Sequence, residues 1–156
     1  MTTSTRNLID NFLTQKRLAF VGVSRDPKNF SRTLFREFQK QGFDVVPVNP
    51  NATEVEGVPC VATVQDISPP VESAYLMTSP DITDQVIHDC AAAGITQVWM
   101  HRGEGVGAVS QDALEFCRAN GINVVPGFCA FMFLPNAGFF HKAHGFVMKL
   151  TGAYPN

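Results

Sequence analysis

Along this chain, short uninterrupted apolar runs alternate with stretches in which apolar residues recur every three or four positions. The runs Leu18–Val23, Asp44–Val48, Ser73–Met77, Gln97–Met100 and Asn123–Val125 predict five strands covered on both faces. Helical spacing predicts Leu8–Gln15, Phe30–Gln41, Ile82–Ala93 and Ser110–Asn120. In the second of these helices Phe30, Leu34, Phe35 and Phe38 form one stripe. Gly42, Gly94 and Gly121 stand where glycine ends a helix, and Ser110 and either Thr5 or Asn7 stand where a cap begins one. Residues 51–70, with EVEGVPC and ISPP, read as connection around a short helix near Val64–Asp66. A last helix is expected over Gly138–Leu150.

Strand and helix alternate throughout, which predicts an α/β, Rossmann-like fold with a parallel five-stranded sheet and helices on both faces. Right-handed crossovers put every strand-to-helix loop on one edge, where such folds bind ligands. No linker or repeat divides the chain. Residues 1–156 are expected to form one domain, with an aromatic-rich C-terminal extension from about residue 127.

Composition narrows the function. The 156 residues are 45% hydrophobic, enough for a core, and the net charge of −2 argues against a nucleic-acid partner. Cys60, Cys90, Cys117 and Cys129 form no CxxC pair, which favours free thiols in a reducing compartment. The N-terminus lacks the apolar run of a signal peptide. The segment Gly127–Phe140 is broken by Pro135, Asn136 and Gly138 and is too short to span a bilayer. A cytoplasmic protein without a membrane partner is expected.

The chemistry concentrates in LAFVGVSRDPKNFSR, residues 18–32. A dinucleotide site carries three glycines here and an acid at the end of the second strand. This loop has Gly22 alone, and the second strand ends at Val48, Asn49 and Pro50. What it offers instead is a helix N-terminus with Ser24 and Ser31 as hydroxyls and Arg25, Lys28 and Arg32 as cations. That set suits a ligand more heavily phosphorylated than NAD. The plainer reading makes Ser31 a helix cap and the cations solvated surface.

The stretch VGVSRDPKNFSRTLFREFQKQGFDVVPVNP resembles the opening of the CoA-binding domain family, small Rossmann proteins similar to the N-terminal domain of the succinyl-CoA synthetase alpha subunit. The likeness runs on through SPP at 68–70, LMTSP and VWMHRGEG, over roughly residues 15–125. It implies coenzyme A or an acyl-CoA as ligand. Gly22, Ser24 and Arg25, with Ser31, would hold the pyrophosphate, and Val23 is counted among the cofactor-binding positions. Val48, Asn49 and Pro50 would line the adenosine side, and Met77, Thr78 and Pro80 would border the ligand. Lys28 or Arg32 would serve the 3′-phosphate. The chain departs from the family pattern at HRGEG (101–105) and PGFC (126–129). The ligases' chemistry needs a phosphohistidine in a further domain and is not expected here; no catalytic set can be assembled.

Other residues suggest competing chemistry. Arg25 and Lys28 would meet the 2′-phosphate in a small NADP-dependent oxidoreductase, a reading weakened by the missing glycines and by the lack of a Tyr–Lys pair. His141 and His144 share a helical face and, with Cys129 or His101, could ligate a metal, although packing histidines are the simpler account. Cys129 is expected at the ligand edge, either inert or able to form a mixed disulfide with the CoA thiol. The phenylalanines of residues 128–146 suggest core packing or a homodimer interface.

Overall fold

The computed structural model describes residues 4–103 and 105–134. Helix α1 (Thr5–Leu13) leads into strand β1 (Arg17–Val21), helix α2 (Phe30–Lys40) and strand β2 (Asp44–Val48). A small antiparallel hairpin, β3 (Glu54–Val55) and β4 (Val58–Pro59), follows, then a 3-10 turn at Val64–Asp66. The chain continues through β5 (Ser73–Leu76), α3 (Pro80–Ala92), β6 (Gln97–Met100), α4 (Gln111–Ala119) and β7 (Asn123–Pro126). The expected helix over 138–150 lies outside the described residues.

The five long strands form one parallel sheet in the order β2-β1-β5-β6-β7. Side chains of a strand point alternately to its two faces, and the two cores follow that alternation. Leu18, Phe20, Tyr75, Trp99 and Val125 pack with α1 and α2 through Ile9, Phe12, Leu34, Phe35 and Phe38. Ala19, Val21, Ala74, Leu76, Val98 and Met100 pack on the other face with Ile87, Cys90, Ala113 and Cys117 of α3 and α4. This is the doubly wound, Rossmann-like architecture that uninterrupted apolar strands require.

Two local expectations are corrected. Helix α1 is capped by Ser4, whose hydroxyl accepts from the Asn7 amide, rather than by Thr5 or Asn7. Ser4 lies within a run of polar residues in which side-chain type alone does not single out the cap. The connection after β2 holds the β3–β4 hairpin, turned by Glu56 and Gly57 with φ of 49° and 77°. Two positive φ values in succession match the twist of a tight hairpin, which glycine eases at the second position.

The order of the sheet splits at its middle. From β1 the chain turns outward to β2, then returns across to β5 on the other side. At such a split, adjacent loops run in opposite directions and leave a crevice at the carboxyl edge.

Candidate functional site

The crevice is floored by a very close backbone crossing. Gly22 follows β1 with φ of 90°, and a Cβ built there would lie 2.4 Å from the Met77 carbonyl oxygen. No side chain fits between these loops. The Gly22 amide donates to Val48 O at 3.2 Å, and the Met77 amide to Val21 O at 2.8 Å, so the loop is tied to both neighbouring strands. Asn49 adds a side-chain tie, donating from Nδ2 to Val23 O at 2.9 Å.

Beyond Gly22 the loop closes upon itself. Ser31 Oγ accepts the Ser24 amide at 2.9 Å and donates to Asn29 Oδ1 at 2.7 Å. Ser24 Oγ accepts the Asp26 amide at 3.0 Å, and Asp26 Oδ1 accepts the Lys28 amide at 3.0 Å. The N-cap of α2 is Asn29, whose Oδ1 also accepts the Ser31 amide at 2.9 Å. Ser31 is thus neither the cap nor a free phosphate donor; its hydroxyl holds the loop. Ser24 keeps its own hydroxyl proton to give.

Arg32 is likewise committed. It is 8% exposed, donates from Nε to Glu56 Oε2 at 3.0 Å, and pairs with the same oxygen through Nη2. Its Nη1 reaches the carbonyls of Ser24 at 3.3 Å and Arg25 at 3.1 Å. The Arg32 hydrogen bond, with the charges of Arg32 and Arg36, holds the Glu56 carboxyl below its usual 4.5. Arg32, expected alongside Lys28 as a candidate for the 3′-phosphate, is thus engaged by a carboxylate and two carbonyls. Arg25 and Lys28 are exposed on the loop.

Beside the loop lies a cavity of about 360 Å³. Val21, Gly22, Val23 and Ser24 form one side and Val48, Asn49 and Pro50 the second. Thr78 stands at the base, and Ile82, Gln85 and Asp89 of α3 close it. Of the residues expected after the third strand, only Thr78 reaches this lining. Met77 contributes its backbone at the Gly22 crossing, and Pro80 is spent as the first residue of α3. The wall from α3 was missed, as were Asp26, Asn29 and Glu56. Asn29 had a legible signal, an N-cap residue directly before the Phe30 stripe.

A second polar group sits further along the same edge. His101 follows β6, is 8% exposed, and meets Tyr75 Oη through Nδ1 at 2.7 Å. Burial pushes the imidazole down to about 4. Cys129, after β7, is pushed up to about 11 by burial, which disfavours the thiolate form. Among the described residues, no three His, Cys, Asp or Glu side chains are grouped to hold a metal. His141 and His144 lie outside the described residues. No described helix is long and apolar enough to cross a membrane.

A doubly wound parallel sheet with a short, single-glycine loop at its split defines a Rossmann-like domain. The chain belongs to the CoA binding domain family, whose sequence model matches residues 16–134. An uncharacterised Bacillus subtilis protein, YneT, is 25% identical over 114 residues, 73% of this chain and 82% of that one. The alpha subunit of ADP-forming acetate–CoA ligase II from Pyrococcus furiosus is 26% identical over 129 residues. That match takes in 78% of this chain and 28% of the subunit, so the chain corresponds to a part of the ligase. A hypothetical Pyrococcus horikoshii protein superposes with a TM-score of 0.74 at 24% identity, over 81% of this chain and 87% of that one, which shows the shared fold. The dinucleotide-forming acetyl-coenzyme A synthetase 1 of Ca. Korarchaeum cryptofilum, solved with phosphate and ADP, matches at TM-score 0.59 and 26% identity. It covers 70% of this chain and 25% of the synthetase.

Proposed function

We propose that the protein binds coenzyme A or an acyl-CoA at the carboxyl edge of the sheet, as a binding protein rather than a catalyst. The observation that carries this reading is the position of the cavity. It opens at the β1–β5 split, against Gly22, Val23 and Ser24, with Val48–Pro50 as its far wall. The pyrophosphate would sit over the Gly22–Asn29 loop, near the positive end of α2, and take a hydrogen bond from Ser24 Oγ. Adenosine would enter the cavity between Val48–Pro50 and Thr78. With Arg32 held by Glu56, the 3′-phosphate falls to Lys28 or Arg25, whose exposed charges favour an anionic ligand. Family membership supports the ligand class, and the ligase subunit among the relatives supports the CoA moiety.

Thermal unfolding with CoA, NAD and NADP at equal concentration tests the reading. A ligand at 100 times its dissociation constant adds about 2.7 kcal/mol of stability. CoA is expected to stabilise more than either dinucleotide. Equal or greater stabilisation by NAD or NADP rejects the assignment.

A further inference from the structure

His101 carries a hydrogen-bonding atom that the fold leaves unused. Its backbone is fixed on three sides. The His101 amide donates to Leu76 O at 2.9 Å, its carbonyl accepts the Ala108 amide at 2.8 Å, and the next amide, of Arg102, donates to Phe128 O at 3.0 Å. Gly107 makes that return possible, since a Cβ there would lie 2.3 Å from the His101 carbonyl oxygen. The ring is fixed as well, with its centroid 5.8 Å from that of Tyr75 and 6.1 Å from that of Phe30.

The bonding pattern assigns the proton. Tyr75 Oη accepts the Ala130 amide at 3.1 Å, and Tyr75 is fully buried. Its own O–H therefore has one acceptor in reach among the described residues, His101 Nδ1 at 2.7 Å. With Nδ1 accepting and the ring neutral, the imidazole proton stands on Nε2. Among the described residues Nε2–H has no partner, and no such buried side-chain atom is left unsatisfied, so it opens to the surface beside Gly103. A buried tyrosine, an aromatic wall and a pinned loop thus present one neutral N–H donor in a fixed direction.

The surroundings say what that donor suits. Three large apolar side chains are exposed on the described surface: Phe30, Ile82 and Val106, at 40%, 45% and 66%. All three lie on strand-to-helix connections or first helical turns, at the edge that carries the phosphate loop. Ile82 lines the cavity, while Phe30 stands on the opposite side of the loop, stacked on Phe131 at 5.9 Å and facing His101. A ligand with its pyrophosphate at the loop and its adenosine in the cavity has its other arm free to cross Phe30. That arm is apolar apart from its carbonyl groups. A neutral N–H on an apolar shelf pairs with a neutral carbonyl at little desolvation cost, whereas a cation there would not.

We propose that His101, set by Tyr75, recognises a carbonyl oxygen on the thiol-bearing arm of the bound CoA through Nε2–H. This rests on the proposed CoA binding. The carbonyl is either an amide of the pantetheine arm, present in every CoA, or the thioester of an acyl-CoA.

The test is calorimetric titration of wild type, His101→Phe and His101→Gln with 3′,5′-ADP, CoA and acetyl-CoA. His101→Phe keeps a ring on the shelf without a donor, and His101→Gln restores an N–H near the Nε2 position. The Phe variant is expected to lose about five- to tenfold in affinity for acetyl-CoA, with 3′,5′-ADP unchanged and the Gln variant close to wild type. Loss for acetyl-CoA alone assigns the thioester; equal loss for CoA assigns a pantetheine amide. Unchanged affinity for both, or an equal loss for 3′,5′-ADP, overturns the proposal. Nitrogen-15 spectra of wild type give a second readout that does not depend on the variants folding. The Nε2–H tautomer is expected, with the Nε2 proton shifting on addition of acetyl-CoA and not of 3′,5′-ADP; an Nδ1–H tautomer, or a proton indifferent to acetyl-CoA and CoA alike, refutes it. If wild type binds none of the three ligands, the CoA reading itself fails, which these comparisons keep separate.

Discussion

Arg32 on α2 and Glu56 at the tip of the β3–β4 hairpin form a pair whose arginine also grips the Ser24 and Arg25 carbonyls. One guanidinium thereby ties the hairpin tip to the loop after β1. Removing the carboxylate would leave a buried cation with only neutral partners.

Glu56→Gln is expected to destabilise the protein by about 1.5–3 kcal/mol near pH 7, the value of a charge-assisted hydrogen bond. The pH dependence has a definite sign. A carboxyl whose folded pKa lies below its unfolded 4.5 contributes stability that is full above that value and is lost as pH falls through the folded pKa. The difference in Tm between wild type and variant should therefore close on acidification from pH 5 downward. A constant difference across that range would show that the charge is irrelevant.

Gly22→Ala should be severe and Gly42→Ala mild. Both glycines have positive φ, 90° and 93°, but a Cβ at Gly22 meets the Met77 carbonyl and one at Gly42 meets nothing within 4 Å. Backbone strain alone predicts about 1–2 kcal/mol for Gly42→Ala. Strain plus overpacking predicts roughly 2–5 kcal/mol for Gly22→Ala. Chemical denaturation of the two variants separates the terms, and equal losses would remove the close crossing as a determinant.

Arg25→Ala with Lys28→Ala should leave stability near wild type, because both side chains are exposed. CoA affinity should fall roughly ten- to a hundredfold, and added salt should shrink that gap over a screening length of about 8–10 Å. Dephospho-CoA distinguishes the roles. A smaller loss with it assigns the 3′-phosphate, and equal losses assign the pyrophosphate. Full affinity for both ligands would make these cations solvent-facing only.

The thiols should be sluggish. Burial raises Cys129 and Cys117 to about 11 and Cys90 to about 12, so only about one Cys129 in a thousand is thiolate at pH 8. Half-buried Cys60, raised less, is expected to alkylate first. Rapid modification of Cys129 in native protein, followed by mass mapping, would contradict its placement.

The parts of the fold that the sequence made legible are those carried by long periodic segments. The boundaries of Asp44–Val48 and Gln97–Met100 agree with the structure because turn residues flank uninterrupted apolar runs. The β3–β4 hairpin escaped because strands of two residues have no measurable period, although Glu56–Gly57 between valines was a turn signal. In the site, the loop was legible from its composition but the use of its side chains was not. Arg32 and Ser31 carry the right functional groups for phosphate, yet a partner 24 residues away and an internal cap claim them. Tyr75 and His101 meet only because their strands are neighbours in the sheet, a relation that sequence order does not reveal.

The bonds that close the Gly22–Asn29 loop bear on timing. Since Ser24, Asp26, Asn29 and Ser31 already hold one another, folding bears the entropy of ordering this turn, and ligand arrival does not. An encounter is then limited by diffusion and orientation, helped by the field of Arg25 and Lys28, with no wait for a segment to settle. Variants of the loop's uncharged residues should differ in how long the proposed ligand stays far more than in how fast it arrives, whereas loss of Arg25 or Lys28 should also slow arrival. The turn is a die already cut before any ligand proposed for it arrives.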